Sequence, residues 1–182
     1  AVAAWLRGAR VHALCGPVDL WLPADPCFHR HDARSAADML DKAKNLWPTA
    51  DIGIFTAAVA DFRPEPHGPG KFKKNLAEDG FSLRFLPNQD ILRLLASERR
   101  EGQKVAGFAA EAAETSDALA HAVRRKLVSK GADMVVGNKL ADGFGRGSNR
   151  VFVADIKGRE ELWPDQPKTD VAWNILSWLR TL

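Results

Sequence analysis

The run Asp51–Val59, DIGIFTAAV, constrains the fold more than any other part of the sequence. It is continuous, apolar and of strand length, so a strand here needs cover on both faces. Strands of that kind belong to parallel sheets, whose crossover connections lay helices above and below. Lys104–Ala109 (KVAGFA) and Asp133–Gly137 (DMVVG) have the same character. Elsewhere the apolar spacing changes to three and four residues. Ala36, Met39, Leu40, Ala43 and Leu46 or Trp47 mark a helix over Ala33–Trp47, with Ser35 as a cap and Pro48 beyond its end. Ala118, Leu119, Ala122, Val123 and Leu127 mark another over Thr115–Lys130.

The remaining elements are shorter. Val2–Leu6 forms a helix closed by Gly8, and Arg10–Cys15 a strand stopped by Gly16-Pro17. A strand is expected at Ser82–Leu86 and a helix from Asp90 to Arg100. Val151–Ile156 and Glu160–Trp163 flank Lys157-Gly158-Arg159 as a β-hairpin, and Thr169–Leu182 is a last helix. This order predicts one domain over residues 1–182, an α/β Rossmann-like fold with a doubly wound, mainly parallel sheet, three layers and a C-terminal β-hairpin.

Composition narrows the function. No apolar run approaches the roughly 18 residues that a membrane-spanning helix needs. The formal net charge of +3 is mild, and the basic residues are not interleaved with aromatics, so neither membrane nor nucleic acid is an expected partner. Cys15 and Cys27 are too far apart for a CxxC pair, and free thiols in a reducing cytoplasm are expected. Cys27, His29 and His31 would share one face of an extended segment, but no second ligand cluster follows. They are assigned to a surface loop after Pro23 and Pro26, with no metal site.

Ligands of open parallel sheets bind beyond the carboxyl ends of the strands. Three such ends carry polar groups here: Asp61 after DIGIFTAAVA, Glu111 after KVAGFAA, and Asn138-Lys139 after DMVVG. A lone acid in such a place is usually a helix cap, but three polar strand ends together weaken that reading. Small Ala57 and Ala58 let a ligand approach the backbone, while Asp61 offers a carboxylate to a base, a ribose or a metal. Lys71-Phe72-Lys73-Lys74 follows a Pro/Gly-rich stretch. By itself that is a solvated basic turn; hinged at the Asp61 strand end it is expected to act as a lid that neutralises phosphate charge. Lys126 and Lys130 lie one turn apart near a helix C-terminus, where the helix dipole alone would favour them. Gly143–Ser148 is a flexible loop that matches no phosphate-binding fingerprint.

Taken in order, these pieces resemble phosphopantothenoylcysteine synthetase. The match comprises RGA-V-GPV-L at Arg7–Leu20, AAVADFRP at Ala57–Pro64 and KFKK at Lys71–Lys74. It continues through N-DIL at Asn88–Leu92, GFAAE at Gly107–Glu111 and KL-K-AD at Lys126–Asp133. Asn138, GFG at Gly143–Gly145, Asn149 and Lys168 complete it. AAVAD followed by K-x-KK is the specific part. The family usually has Pro where Gln89 stands, and Thr where Ala112 stands.

The resemblance implies a cytoplasmic ligase of coenzyme A biosynthesis that joins 4′-phosphopantothenate to cysteine through an acyl-nucleotide. The nucleoside triphosphate would be CTP in preference to ATP, accompanied by Mg2+. Nucleotide binding would fall to Phe55, Thr56, Ala57, Asp61, Lys71, Asn88, Gln89, Asp90, Ile91, Leu92, Phe108, Lys126 and Lys130. Lys71 would be the catalytic strap lysine, and Ala57, Ala58 and Asn138 would lie by the substrate and the interface of a homodimer. The family opens with a strand, a Gly-rich turn and an Asn-bearing loop that have no counterpart before the helix at Val2, so the sequence is expected to begin partway through the domain. A flavin-dependent decarboxylase domain, often fused upstream in bacteria, is not represented. Two alternatives stay open: a non-catalytic homologue that binds nucleotide or pairs with another subunit, and a generic Rossmann-like oxidoreductase, in which the lysine strap has no role.

Overall fold

Each element forms where local chemistry starts and stops it. The computed structural model describes residues 1–66, 81–143 and 145–182. Helix α1 (Val2–Leu6) ends as its sequence implies, with Gly8 at φ +83 and its N–H bonded to the Trp5 carbonyl. Strand β1 (Val11–Cys15) follows, then β2 (Phe28–Asp32), α2 (Ala36–Leu46) and a 3-10 turn at Trp47–Thr49. The Ser35 hydroxyl caps α2 by accepting the Asp38 N–H. Next come β3 (Ile52–Phe55), β4 (Phe62–Pro64), β5 (Phe85–Pro87) and α3 (Ile91–Ser97). Then follow β6 (Lys104–Glu111), α4 (Ser116–Lys130), β7 (Met134–Lys139) and the short α5 (Leu140–Gly143). The hairpin β8 (Ser148–Asp155) and β9 (Glu160–Pro167) leads into α6 (Lys168–Leu179).

The main sheet runs β3-β6-β7-β8-β9, parallel through β7 and antiparallel in the hairpin. This is the mainly parallel, helix-covered α/β fold with a terminal hairpin that the sequence implied. Alternate strand residues feed two cores. Val105, Ala109 and Val135 meet Leu40, Trp47, Leu95, Leu119 and Val123 on one face. Ala106, Met134, Val136, Val151 and Val153 meet Val171, Ile175 and Trp178 on the other. Gly137 lets α4 lie directly on β7: an added Cβ would stand 2.2 Å from Val123 Cγ2.

Two expectations need correction. Cys27 stands in an exposed turn, but His29 and His31 do not lie in a surface loop, since β2 pairs in parallel with β1 from Val11↔Phe28 to Cys15↔Asp32. The prolines before it masked a strand whose polar alternation looked like loop composition. The run from Asp51 regularises only over Ile52–Phe55, and Ile52 and Ile54 are exposed, so β3 lacks cover on both faces. β3 pairs with β6 alone, and β1 with β2 alone, among the described residues. The strand expected at Ser82–Leu86 is β5, paired antiparallel with β4.

Buried polar groups fix the strand starts. The Asp133 carboxylate accepts the Val105 N–H at 2.7 Å and an Arg99 N–H at 3.0 Å. Gln103 donates to the Trp47 and Ala50 carbonyls and accepts the Arg100 N–H. At the hairpin, the fully buried Asp155 side chain accepts the Lys157 and Arg159 backbone N–H groups, Arg159 Nε and the Trp178 indole N–H at 2.8 Å. Arg159 also stacks over Trp178, 3.7 Å from its ring centre.

Burial pushes the Asp155 pKa up, but these donors outweigh it and hold the carboxyl below its ordinary value. A lowered folded-state pKa gives stability that is full above the unfolded value and lost as pH falls through the folded one. Asp155→Asn should therefore lower stability by about 1–3 kcal/mol at neutral pH. The gap from wild type should shrink below about pH 4, as urea unfolding across pH would show.

Candidate functional site

Beyond β3 the chain leaves regular structure, and Thr56, Ala57, Ala58, Ala60 and Asp61 are all exposed. Asn88 ties this segment to the start of α3. Its backbone N–H donates to the Asp61 carbonyl at 2.7 Å, and its side-chain amide donates to the Ala60 carbonyl at 2.8 Å. Arg63 donates to Asn88 Oδ1 at 3.1 Å and to the Pro87 carbonyl at 2.7 Å, holding the amide in place. The Asp61 carboxylate itself has no hydrogen bond or ion pair among the described residues.

Asp90 sits at the N-cap of α3, where its carboxylate accepts the Arg93 N–H at 3.0 Å. The same carboxylate is ion-paired with Lys130. Burial raises its pKa, but Lys130 and the Arg93 N–H prevail and keep it below the ordinary carboxylate value. One turn earlier on α4, Lys126 pairs with Glu111 at 2.7 Å. Two carboxylates on the sheet end and on α3 thus hold both lysines of α4. An open cleft of about 400 Å³ continues from Glu111 past Ala113, Ala118 and His121 to Arg125.

The expected site residues divide between the two faces of the sheet. Asp90, Lys126 and Lys130 share the α4 face, and Asp61 joins them through Asn88. Ile91 is buried in the core on that face and Leu92 packs against it half-buried; Gln89 is exposed. Phe55 is half-buried against Trp47, with ring centres 6.4 Å apart. Phe108 packs into the opposite core, away from the lysines. Asn138, opposite Ala110 of β6, is buried beside Gly143 and donates to the Lys139 carbonyl. A Cβ on Gly143 would come within 2.6 Å of Asn138 Nδ2 and 2.8 Å of Asn149 Oδ1. Lys168 donates to the Gly143 carbonyl at 2.9 Å, beside these polar side chains. Lys71, with Phe72, Lys73 and Lys74, lies outside the described residues, as does Phe144.

Sequence reading missed two partners. Glu111 was recognised as a polar strand end but not as the counter-ion of Lys126, because the 15 residues of α4 fold it back along β6. Arg63 was legible only as part of AAVADFRP; its role follows from the β4–β5 pairing.

A mainly parallel α/β sheet covered by helices, with polar and charged groups gathered at its strand ends, places the chain in the Rossmann-like class. The whole chain, residues 1–182, matches the family described as DNA/pantothenate metabolism flavoprotein C-terminal domain. The chain belongs to that family.

It is 36% identical over 185 residues to the coenzyme A biosynthesis bifunctional protein CoaBC of Bacillus subtilis, covering 100% of this chain and 44% of that protein. It is 35% identical over 183 residues to a cysteine/cysteine sulfinic acid decarboxylase of an unknown prokaryotic organism, covering 99% of this chain and 49% of that one. The chain thus spans about half the length of these relatives. Among solved structures, the C-terminal domain of a coenzyme A biosynthesis bifunctional protein CoaBC superposes with a TM-score of 0.76 at 28% identity, covering 98% of this chain and 76% of that one. The resemblance to the synthetase family, read from the sequence motifs, is borne out by these matches.

Asp90 has two separable roles, cap and counter-ion. Asp90→Ala should cost about 1–2 kcal/mol in denaturant unfolding, whereas Asp90→Asn, which can still cap, should cost under about 1 kcal/mol. Equal losses would show that the pair with Lys130 dominates.

Proposed function

We propose that this chain forms the nucleotide-binding part of a ligase that joins 4′-phosphopantothenate to cysteine in coenzyme A biosynthesis. The observation that carries the reading is the Lys126–Glu111 and Lys130–Asp90 pairing at the end of α4, one turn apart and next to Asn88 and Asp61. Partly exposed lysines held by single carboxylates exchange readily onto a polyphosphate, which offers more negative charge at the same reach.

In the proposed first step a carboxylate oxygen of 4′-phosphopantothenate attacks the α-phosphorus of a nucleoside triphosphate, for which CTP is the proposed base choice. The bond from that phosphorus to the bridging oxygen breaks, and pyrophosphate leaves. In the second step the cysteine amine attacks the acyl carbon, loses a proton and expels the nucleoside monophosphate. Lys126 and Lys130 would bind phosphate oxygens, and Lys71 would stabilise the charge developing at the reacting phosphorus. Mg2+ would arrive with the triphosphate as part of the substrate. A single carboxylate such as Asp61, unpaired among the described residues, suits that ion, which keeps several waters and takes few protein ligands. A homodimer with Ala57 and Ala58 near its interface completes the proposal.

The test is release of nucleoside monophosphate by the chain, with any native sequence upstream of Ala1 restored. Release should require both 4′-phosphopantothenate and cysteine and should be faster with CTP than with ATP. Nucleotide binding without release under any combination would instead favour a non-catalytic homologue. Lys71→Ala should lower turnover by about 100-fold or more while changing nucleotide affinity only a few-fold. Lys126→Ala and Lys130→Ala should each weaken nucleotide binding about tenfold, more at low salt than at high.

A further inference from the structure

The outer part of the molecule carries a cluster that the proposed ligase chemistry does not use. Parallel pairing of β1 with β2 sets His12 opposite His29 and His31 one step further along the same face. The His12 ring stacks on both, with centroids 4.9 Å from His29 and 5.3 Å from His31. His12 Nδ1 lies 3.0 Å from His31 Nε2. His12 is exposed and the other two are half-buried, so solvent reaches the group.

We propose that His12 and His31 form a binding site for a borderline divalent transition metal such as zinc, with His29 as a stacked support. The distance is the main argument. Two imidazole nitrogens bound to one zinc at about 2.0–2.1 Å and a tetrahedral angle stand about 3.3 Å apart. The observed 3.0 Å is a few tenths of an ångström short of this, and the stacked rings, 28° apart, must also turn so that both lone pairs meet the ion, which the exposure of His12 allows. One of these nitrogens now donates a proton to the other; on metal binding that ring carries its proton on its other nitrogen, and both lone pairs face the ion. Among the described residues no set of three His, Cys, Asp or Glu side chains forms a ligating group, so water fills the remaining positions of an open site. Imidazole donors select zinc, copper or nickel over magnesium or calcium.

The experiment is a calorimetric titration of the chain with zinc chloride in chelator-free buffer, alongside imidazole nitrogen NMR. One zinc should bind per chain, with the His12 and His31 ring nitrogens shifting together. His12→Ala and His31→Ala should each weaken binding by at least about tenfold, since each removes one of two protein ligands. His29→Ala should weaken it less, and Cys27→Ser should leave it unchanged. Circular dichroism and thermal unfolding matching wild type would confirm that the variants fold; for any that do not, the ring-nitrogen shifts in the wild-type chain decide. No saturable binding below about 1 mM zinc overturns the proposal. So does binding that survives both histidine substitutions, or binding that disappears with Cys27→Ser.

Discussion

The register of β6 against β7 depends on one buried carboxylate. Asp133 stands at the start of β7 and accepts the N–H of Val105 on the neighbouring strand while pairing with Arg99, which lies just beyond α3. Slip of the pairing would strand a charge that is almost fully buried, at a cost of several kcal/mol. Register in turn decides which strand residues face α4 and which face α6. The separation of Lys126 and Lys130 from Phe108 and Asn138 thus follows from an ion pair at the opposite end of the strands.

The parts of the fold that were legible in the sequence are those where one rule acts alone. The cap at Ser35, the stop at Gly8 and the hairpin at Lys157-Gly158-Arg159 are local, and each stands where its residue type puts it. The buried strands β6 and β7 were clear because nothing polar interrupts them. β2 was illegible: FHRHD has one apolar residue, Phe28, among histidines and charges, and prolines precede it. Of the β4–β5 ribbon only the second strand was expected, since Phe62–Pro64 is too short to carry a periodicity.

For the candidate site, sequence order located the strand ends but could not say which face each side chain takes. Lys126 and Lys130 looked like dipole-favoured residues at a helix end, yet their partners come from β6 and from the α3 cap. That pairing is long-range in sequence, so no local spacing rule announces it. Phe108 was grouped with the lysines by motif, while strand alternation turns it toward the other core.

Gly137 has a reach beyond its own position. Its missing methyl is the space in which Val123 rests, and Val123 lies on the same stiff helix as Lys126 and Lys130, less than two turns from either. Any side chain there must lift or tilt the helix, and both ammonium groups move with it. A residue that never meets a ligand therefore sets the aim of two that are expected to, so mutational scans of binding would score this backbone position as if it belonged to the binding surface.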